Sequence, residues 1–490
     1  RLLRRQLLYP PELLARKMEA FPIFSGAESQ VRVRAFSVAP GPGNFYEFSP
    51  DCRLLRVCPC ASPAFLAPFF RVGLFFNLFP HTHMTFASFA EFESYLDSLG
   101  LFSMQLGLSR MHEALGLMGL ERPSAMVAHV VGTNGKGSTS GFLEALARAH
   151  GLATGLYNSP HLASVRERIR VRGAMVSEEG WLAAANAVMD RCAGVGLTYF
   201  ELLTVMALYI FGQEGLDLII LEAGLGGTHD ATCAIPADLA VMTPVGLDHE
   251  QILGPTLADI ARDKSGALGR CPAVTGAQEE AVMEIFRQVG AGHPLLSLED
   301  CRTSSGFLIP VGPASLLLPP ASLPGHPPYQ LRNAALAALA WSRLALARGW
   351  QFDAALCTQV LGTTRFFGRF YRHGRILVDG AHNPMGLTAL CEALEAAGEH
   401  FDVLVFQAMR DKTLEPAVLE RLRALADTVV IPGLPMERAF DARELAALFG
   451  SGALAAQDLQ EALRQKGTVL LCGSLYLVGA YYELFPEQLL

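Results

Sequence analysis

Apolar positions along the chain fall into short continuous runs that alternate with stretches of helical spacing. Residues 89–120 read as two helices, FESYLDSLG and then LSRMHEALGLMGL, with apolar side chains recurring every three or four residues. Met126–Val131 is a short apolar strand. GTNGKGS follows at once, and SGFLEALARAHG continues as a helix closed by Gly151. With a further strand at 153–157, the order strand, glycine-rich loop, helix, strand fits within about 30 residues, the length of one βαβ unit. The runs at 216–222 (LDLIILE) and 239–243 (LAVMT) are continuous, as in parallel strands covered on both faces. A helix over 256–268 and a strand at 273–275 continue the alternation. Residues 294–324, rich in Pro, Ser and Leu, predict short antiparallel strands and loops, and 331–347 (LRNAALAALAWSRLALA) predicts a long helix.

A second unit begins near residue 366. Its strands are predicted at 375–378, 401–406, 428–431 and 468–471, with DGAHNP as a loop and a helix over 385–397. This is a second doubly wound α/β domain, with the boundary at 362–368. Residues 1–83 are rich in Arg, Pro and Phe and show neither period. Their most apolar part, 61–80, is broken by prolines and Arg71, whereas a membrane span needs roughly 20 apolar residues with few charges. The expectation is a disordered or mis-annotated N-terminal extension over 1–83, with the folded protein starting at Met84.

Composition narrows the function. A hydrophobic fraction of 51% over 490 residues supplies more than one core, and a net charge of −8 gives no global pull toward nucleic acid or anionic membrane. Small anionic substrates therefore need a local cationic site. The ten cysteines are scattered, and Cys58 and Cys60 form the only close pair, so free thiols in a reducing cytosol are expected.

Such a site is offered by Gly132-Thr133-Asn134-Gly135-Lys136-Gly137-Ser138. Glycines turn backbone N–H groups toward phosphate oxygens, the helix N-terminus adds positive potential, and Lys136 adds charge. The common Walker pattern places Ser or Thr directly after the lysine, whereas here Gly137 intervenes before Ser138 and Thr139. The bland alternative is a glycine-rich turn with an incidental lysine.

GTNGKGS resembles the ATP loop of the Mur-ligase superfamily, in its folylpolyglutamate synthase/dihydrofolate synthase branch. The resemblance continues in order through YNSPHL (157–162), RERIRV (166–171), TYFELLTVMAL (198–208), LEAGLGGTHDAT (221–232), GLDHEQILGPTLADIARDKSG (246–266), LRNAALA (331–337), GRF (368–370), DGAHNP (379–384) and GSLYLVG (473–479). It covers essentially all of 84–490 and none of 1–83. It implies an α/β fold with a P-loop, Mur-ligase-like central ATPase domain (84–365) and a smaller C-terminal Rossmann-like domain (366–490). The implied reaction adds L-glutamate to dihydropteroate or folates through an acyl phosphate. ATP and two Mg²⁺ ions serve that reaction in a cytoplasmic monomer that binds neither nucleic acid nor membrane.

The same resemblance assigns residues. Gly132, Thr133, Asn134, Gly135, Lys136, Gly137 and Ser138 hold ATP phosphates, and Asn333, Arg369 and Asp379 are nucleotide contacts. Ser159, Glu222, His249 and Lys264 are metal ligands, the last as a carbamylated lysine. Without the resemblance, His249 reads as an ordinary loop histidine and Lys264 as a solvated helix lysine. Lys136, Lys264 and His382 form the catalytic set; His382 is read from its place in the DGAHNP loop beside Asp379, where a histidine either orients or neutralises the nucleotide or simply caps the helix. Gln105, Leu106, Gly107, Thr198, Tyr199, Phe200, Glu201, His229, Asp230 and Ala231 line the pterin side. Departures fall there: Thr228, His229 and Cys233 stand where the family carries Arg, Leu and Asn, and Gln105 where many members carry Asp. Two rival readings are a cell-wall Mur-type peptide ligase, which lacks support in an N-terminal UDP-binding domain, and a P-loop regulatory NTPase, for which no guanine-recognition motif is present. A third, a non-catalytic binding protein, requires the metal ligands to be missing.

Overall fold

A computed structural model describes residues 85–489 apart from 101–104 and 106, together with four three-residue strands earlier in the chain. Those strands form two antiparallel pairs, Val33–Ala35 with Arg53–Leu55 and Val38–Pro40 with Tyr46–Phe48. The chain divides into two units, Arg1–Thr82 and His83–Leu490. The expectation of a disordered or mis-annotated extension over 1–83 falls almost wholly outside the described residues. Among the described residues no helix is long and apolar enough to cross a membrane.

The second unit carries two large sheets. The first has eight strands in the order Leu295–Ser297, Ala273–Thr275, Leu239–Met242, Met126–Val131, Leu218–Glu222, Thr154–Tyr157, Ile169–Val171, Ala174–Met175. The first six run parallel, and the last two extend the sheet antiparallel. Every residue of Met126–Val131 is buried, because helices cover both faces of the sheet at that strand. One face packs on Glu178–Cys192 and Tyr199–Gln213, and the other on Lys136–Ala149 and Pro328–Arg348.

Two expectations need correction. Leu295–Ser297, placed by sequence among short antiparallel strands, is the parallel edge strand of this sheet. The antiparallel strands of that stretch are Arg302–Thr303, Gly306–Val311 and Ala314–Leu318, which form their own small sheet. The helix expected over 256–268 is α-helical only over Leu257–Lys264, then tightens to a 3₁₀ turn at Ser265–Ala267.

The second sheet has six strands, Tyr371–His373, Ile376–Val378, Val469–Cys472, Phe401–Phe406, Ala426–Pro432 and Leu454–Ala456, parallel except for the first hairpin. Separate apolar clusters fill its two faces. Met126–Val131 lies between Leu239–Met242 and Leu218–Glu222, so chain connections diverge on either side of it. Ligands of open α/β sheets bind beyond the carboxyl ends of strands at such a point.

Candidate active site

The phosphate loop leaves the carboxyl end of Met126–Val131. Gly132 (φ 154°) presses on Thr243, where a Cβ would clash with the hydroxyl and lie 2.7 Å from the carbonyl oxygen. Gly135 (φ 85°) leaves no room for a Cβ beside the Asn333 amide. The Thr133 and Asn134 amides donate to the Pro244 carbonyl at 2.9 and 3.4 Å. The first helical bond runs from Thr139 N–H to Gly135 O, so the amides of residues 135–138 sit at the open helix end.

Two lysines converge on this loop. Lys136 Nζ folds back to the carbonyls of Gly132 and Thr133 at 3.2 and 3.1 Å, and Lys264 Nζ donates to the same Gly132 carbonyl at 2.9 Å. Burial lowers the Lys136 ammonium pKa, against the pull of Glu222, Asp248 and Asp230. Lys264 is lowered to about 7 by burial and then by Lys136, partly offset by Asp248 and Asp263. A desolvated cation so close by disfavours the charged form of Lys264. Lys264 is only 4% exposed, which excludes a solvated helix lysine.

Glu222 ends its strand beneath the loop. A Cβ on Gly137 would sit 3.5 Å from its Oε2, which accepts the Ser159 N–H at 3.2 Å. Burial raises the Glu222 carboxyl, opposed by Lys136, the Ser159 amide, Arg369 and Arg168. Ser159 precedes a cis proline. His249, at φ 55°, occupies the N-cap position of the short helix Glu250–Leu253 without a side-chain capping bond. Among the described residues no three His, Cys, Asp or Glu side chains form a metal-type cluster.

The second sheet closes the site. Asp379 accepts from the Tyr329 hydroxyl at 2.9 Å and from the Phe370 and Ala381 amides at 2.7 and 2.8 Å. Burial raises its carboxyl against the nearby Arg369 guanidinium, whose Nη1 would lie 2.6 Å from a Cβ on Gly380. Asn333 Nδ2 donates to Gln330 Oε1, and Gln330 Nε2 donates to Ser138 Oγ, both at 3.1 Å. Helix Pro328–Arg348 is thereby tied to the loop. Asp248 is the hub between the two sheets. It takes Lys412 Nζ at 2.5 Å and Asn383 Nδ2 at 2.9 Å, with His249 and His382 each 3.8 Å away. Burial alone would raise the Asp248 carboxyl, but His249, Lys412 and His382 hold it well below the usual range. Burial lowers His249 and His382 to about 4, with Lys412 adding to both and Asp248 opposing. His382 Nδ1 lies 2.8 Å from the Gly380 carbonyl, which only accepts, so the Nδ1 proton is fixed and Nε2 carries the lone pair. The helix cap of Pro384–Ala397 is Asn383, not His382.

Among the residues expected on the pterin side, Thr198 and Glu201 form a capping box. Glu201 also receives Arg110 bidentately at 2.9 and 3.0 Å, and Arg110 holds the Gln105 carbonyl at 2.6 Å. The Arg168 guanidinium stacks 5.4 Å from the Tyr199 ring centroid and donates to His161 Nδ1 at 2.9 Å. Phe200 lies against Gly224, where a Cβ would be 2.6 Å from its ring. Asp230 is buried, accepts the Leu225 and Thr232 amides at 2.9 Å and precedes Ala231, whereas His229 is exposed at the loop tip. Glu201 and Asp230 thus spend their oxygens on holding the protein together. Gly107 is described, and Leu106 lies outside the described residues.

The sequence singled out neither Lys412 nor Arg168, Arg110, Asn383 or Tyr329 individually. For Lys412 a signal existed, since the charged run RDK follows the strand Phe401–Phe406 at the carboxyl edge of a doubly wound sheet.

Comparison with known proteins agrees with this architecture. The family described as "Mur ligase, glutamate ligase domain" matches residues 366–475. A dihydrofolate synthase/folylpolyglutamate synthase of Escherichia coli (strain K12) is 32% identical over 412 residues, covering 81% of this chain and 96% of that protein. The structure of E. coli FolC in complex with DHPP and ADP superposes with a TM-score of 0.73 at 30% identity, over 82% of this chain and 99% of that one. The bifunctional enzyme of Yersinia pestis, complexed with AMPPNP and Mn ion, gives 0.71 at 29% identity, over 82% and 98%. With a central ATPase domain, a smaller C-terminal α/β domain and near full-length similarity to these relatives, the chain belongs to the dihydrofolate synthase/folylpolyglutamate synthase family of the Mur-ligase superfamily.

Proposed function

We propose that this chain is an ATP-dependent ligase that adds L-glutamate to dihydropteroate and to folates. The observation that carries the reading is the convergence of Lys136 and Lys264 on the Gly132 carbonyl above Glu222. That places the buried Lys136 cation and open helix amides at one point, as a polyphosphate requires. Residues 132–138 cradle the phosphates. Asn333, Arg369 and Asp379 reach the nucleotide from the helix Pro328–Arg348, the linker and the second domain, which divides from the first near residue 366.

The substrate carboxylate oxygen attacks the γ-phosphorus and ADP departs, with Lys136 neutralising charge on the transferring group. The glutamate amine then attacks the acyl carbon of the acyl phosphate. The C–N bond forms, inorganic phosphate leaves, and the amine loses a proton. His382, neutral at pH 7 with its Nε2 lone pair free of the Gly380 contact, accepts that proton, and Asp248 stabilises the resulting cation. No side-chain nucleophile is used. Positioning of the substrates between the two sheets supplies the remaining barrier reduction.

The donors also fit magnesium. Glu222 presents a carboxylate beside Ser159, and Thr139 Oγ1 and Asn158 Oδ1 are buried oxygens without a hydrogen-bond partner among the described residues. Ser159, Glu222 and His249 would hold the ions, with Lys264 once its neutral amine has added carbon dioxide and lost a proton to give a carbamate. Bound Mg²⁺ supplies charge neutralisation of the phosphates.

The test is ATP turnover with and without glutamate and dihydropteroate, with product mass read alongside. A product heavier by one glutamate, and turnover that needs both substrates, is expected. Turnover indifferent to both would instead identify a regulatory NTPase.

A further inference from the structure

We infer that His129, on the strand that feeds the phosphate loop, is a positioning residue for the pterin side of this reaction, acting through a one-directional hydrogen-bond chain Cys233–His129–Thr232–Asp230. The inference rests on the proposed ligase reading for its link to substrate, but not for the chain itself.

The direction of each bond follows from chemistry. Both oxygens of Asp230 already accept backbone amides, Leu225 N–H on Oδ2 and Thr232 N–H on Oδ1, each at 2.9 Å. Burial raises the Asp230 carboxyl, and the Thr232 hydroxyl and the Leu225, Thr232 and Gly224 amides oppose it; with amide donors on both oxygens, the hydrogen-bond chain is that of the carboxylate form. An ionised carboxylate only accepts, so the Thr232 hydroxyl, 2.5 Å from Asp230 Oδ1, must donate to it. The same hydroxyl lies 2.5 Å from His129 Nε2. Its single proton is spent on Asp230, so it accepts there, and His129 must carry its proton on Nε2. Nδ1 is left as an acceptor, facing Cys233 Sγ at 3.8 Å. Burial keeps that thiol protonated and able to donate, and burial, followed by Arg270, holds the imidazole neutral down to about 4.

The chain ends where substrate residues begin. Asp230 fixes Leu225, next to the Gly224 on which Phe200 rests. The outer side of the same loop is pinned separately by Asp263, whose carboxylate takes Gly227 N–H and whose carbonyl takes Thr228 N–H, both at 2.9 Å. His129 thus sets the inner half of the 224–233 loop and leaves the nucleotide half of the site alone. It also gives Cys233 a function at the position where the family carries asparagine.

The experiment has two arms, both on the full chain. Nitrogen-resolved NMR of histidine-labelled protein at pH 7, with His129 assigned by its disappearance in His129→Gln, should show a neutral ring protonated on Nε2. A proton on Nδ1, or a doubly protonated ring, overturns the chain whatever the enzyme's activity. In kinetics, His129→Leu and Thr232→Val should each raise KM for dihydropteroate about tenfold, the effect of one lost hydrogen bond. KM for ATP and kcat should stay within about threefold, and the double variant should be no worse than either single one. His129→Gln, whose Nε2–H stands where the imidazole Nε2–H stood, should recover near wild-type KM. A glutamine variant as impaired as leucine, or an unchanged KM throughout, would refute the positioning role. A wild-type enzyme that never ligates dihydropteroate would count against the ligase reading alone, because the spectrum still decides the chain.

Discussion

The side-chain amides of Asn134 and Asn383 exchange two hydrogen bonds, 2.9 and 3.0 Å long, between positions 249 residues apart. Asn383 also donates to Asp248 and accepts from Gly386 N–H at 2.9 Å, so both of its protons and both of its lone pairs are used. The flip of its amide is therefore fixed: Asp248 can only accept and Gly386 N–H can only donate. One buried side chain ties the phosphate loop, the charged hub and the first turn of a helix in the second domain.

Asn383→Ala should accordingly do two kinds of damage. Losing the helix cap and leaving Asp248 and Asn134 short of a partner should cost about 1–3 kcal/mol of stability. Turnover should fall about tenfold or more, because the second domain loses its grip on the loop. Denaturant melts and ATP turnover measure both effects. A variant that is destabilised yet fully active would separate the amide pair from catalysis.

Lys136→Ala should leave the melt almost unchanged and remove most activity. Among the described residues the hydrogen bonds of the ammonium run to loop carbonyls. Its loss from a charge-stabilising site should raise the barrier by about 2.7–4 kcal/mol. Near-normal turnover would reduce GTNGKGS to a turn.

What the sequence made legible follows from distance along the chain. GTNGKGS and DGAHNP were readable because loop, cap and flanking element are contiguous. Met126–Val131 was readable because a strand covered on both faces writes itself as an apolar run. Ile169–Val171 was not, because three residues that include Arg170 and follow Arg166, Glu167 and Arg168 are masked by charge. Helix Glu178–Cys192 does carry a stripe at helical spacing, Trp181, Ala184, Ala185, Val188, Met189 and Cys192, but further alanines at 183 and 187 blur its edge. The unread site residues are those whose partners lie far off: Lys412 meets Asp248 across 164 positions and His129 meets Thr232 across 103. Glu201 shows a role that its motif does not reveal: its oxygens serve Thr198 and Arg110.

Lys412→Met should shift the acid limb of the pH–activity profile upward. His249 and His382 are held at about 4, with Lys412 among the causes, so removing this cation lets both protonate at higher pH. The sign for stability is the same. Unfolded histidine titrates near 6.5, so between 6.5 and about 4 the unfolded chain binds more protons and the fold weakens as pH falls. The variant also strands Asp248, a break that typically costs about 3–5 kcal/mol when both partners are buried. An unmoved acid limb in a folded variant would show that neither histidine governs activity.

Lys264 gives the last prediction. A buried lysine lowered to about 7 is substantially neutral at physiological pH, and only the neutral amine can add carbon dioxide. As pH rises through about 7 that fraction grows, so bicarbonate should activate the enzyme more at mildly alkaline than at mildly acidic pH. Lys264→Arg keeps a cation, stays charged throughout, and should be inactive under every bicarbonate concentration. Lys264→Ala should be equally inactive, but partly rescued by a short-chain carboxylate that fills the vacated space and restores the negative charge. With ¹³C-labelled bicarbonate, a carbamate signal should appear in the wild type and in neither variant. Activity that ignores bicarbonate, together with no carbamate signal, would leave Lys264 as a plain cation on the Gly132 carbonyl, and Lys264→Arg should then retain most turnover.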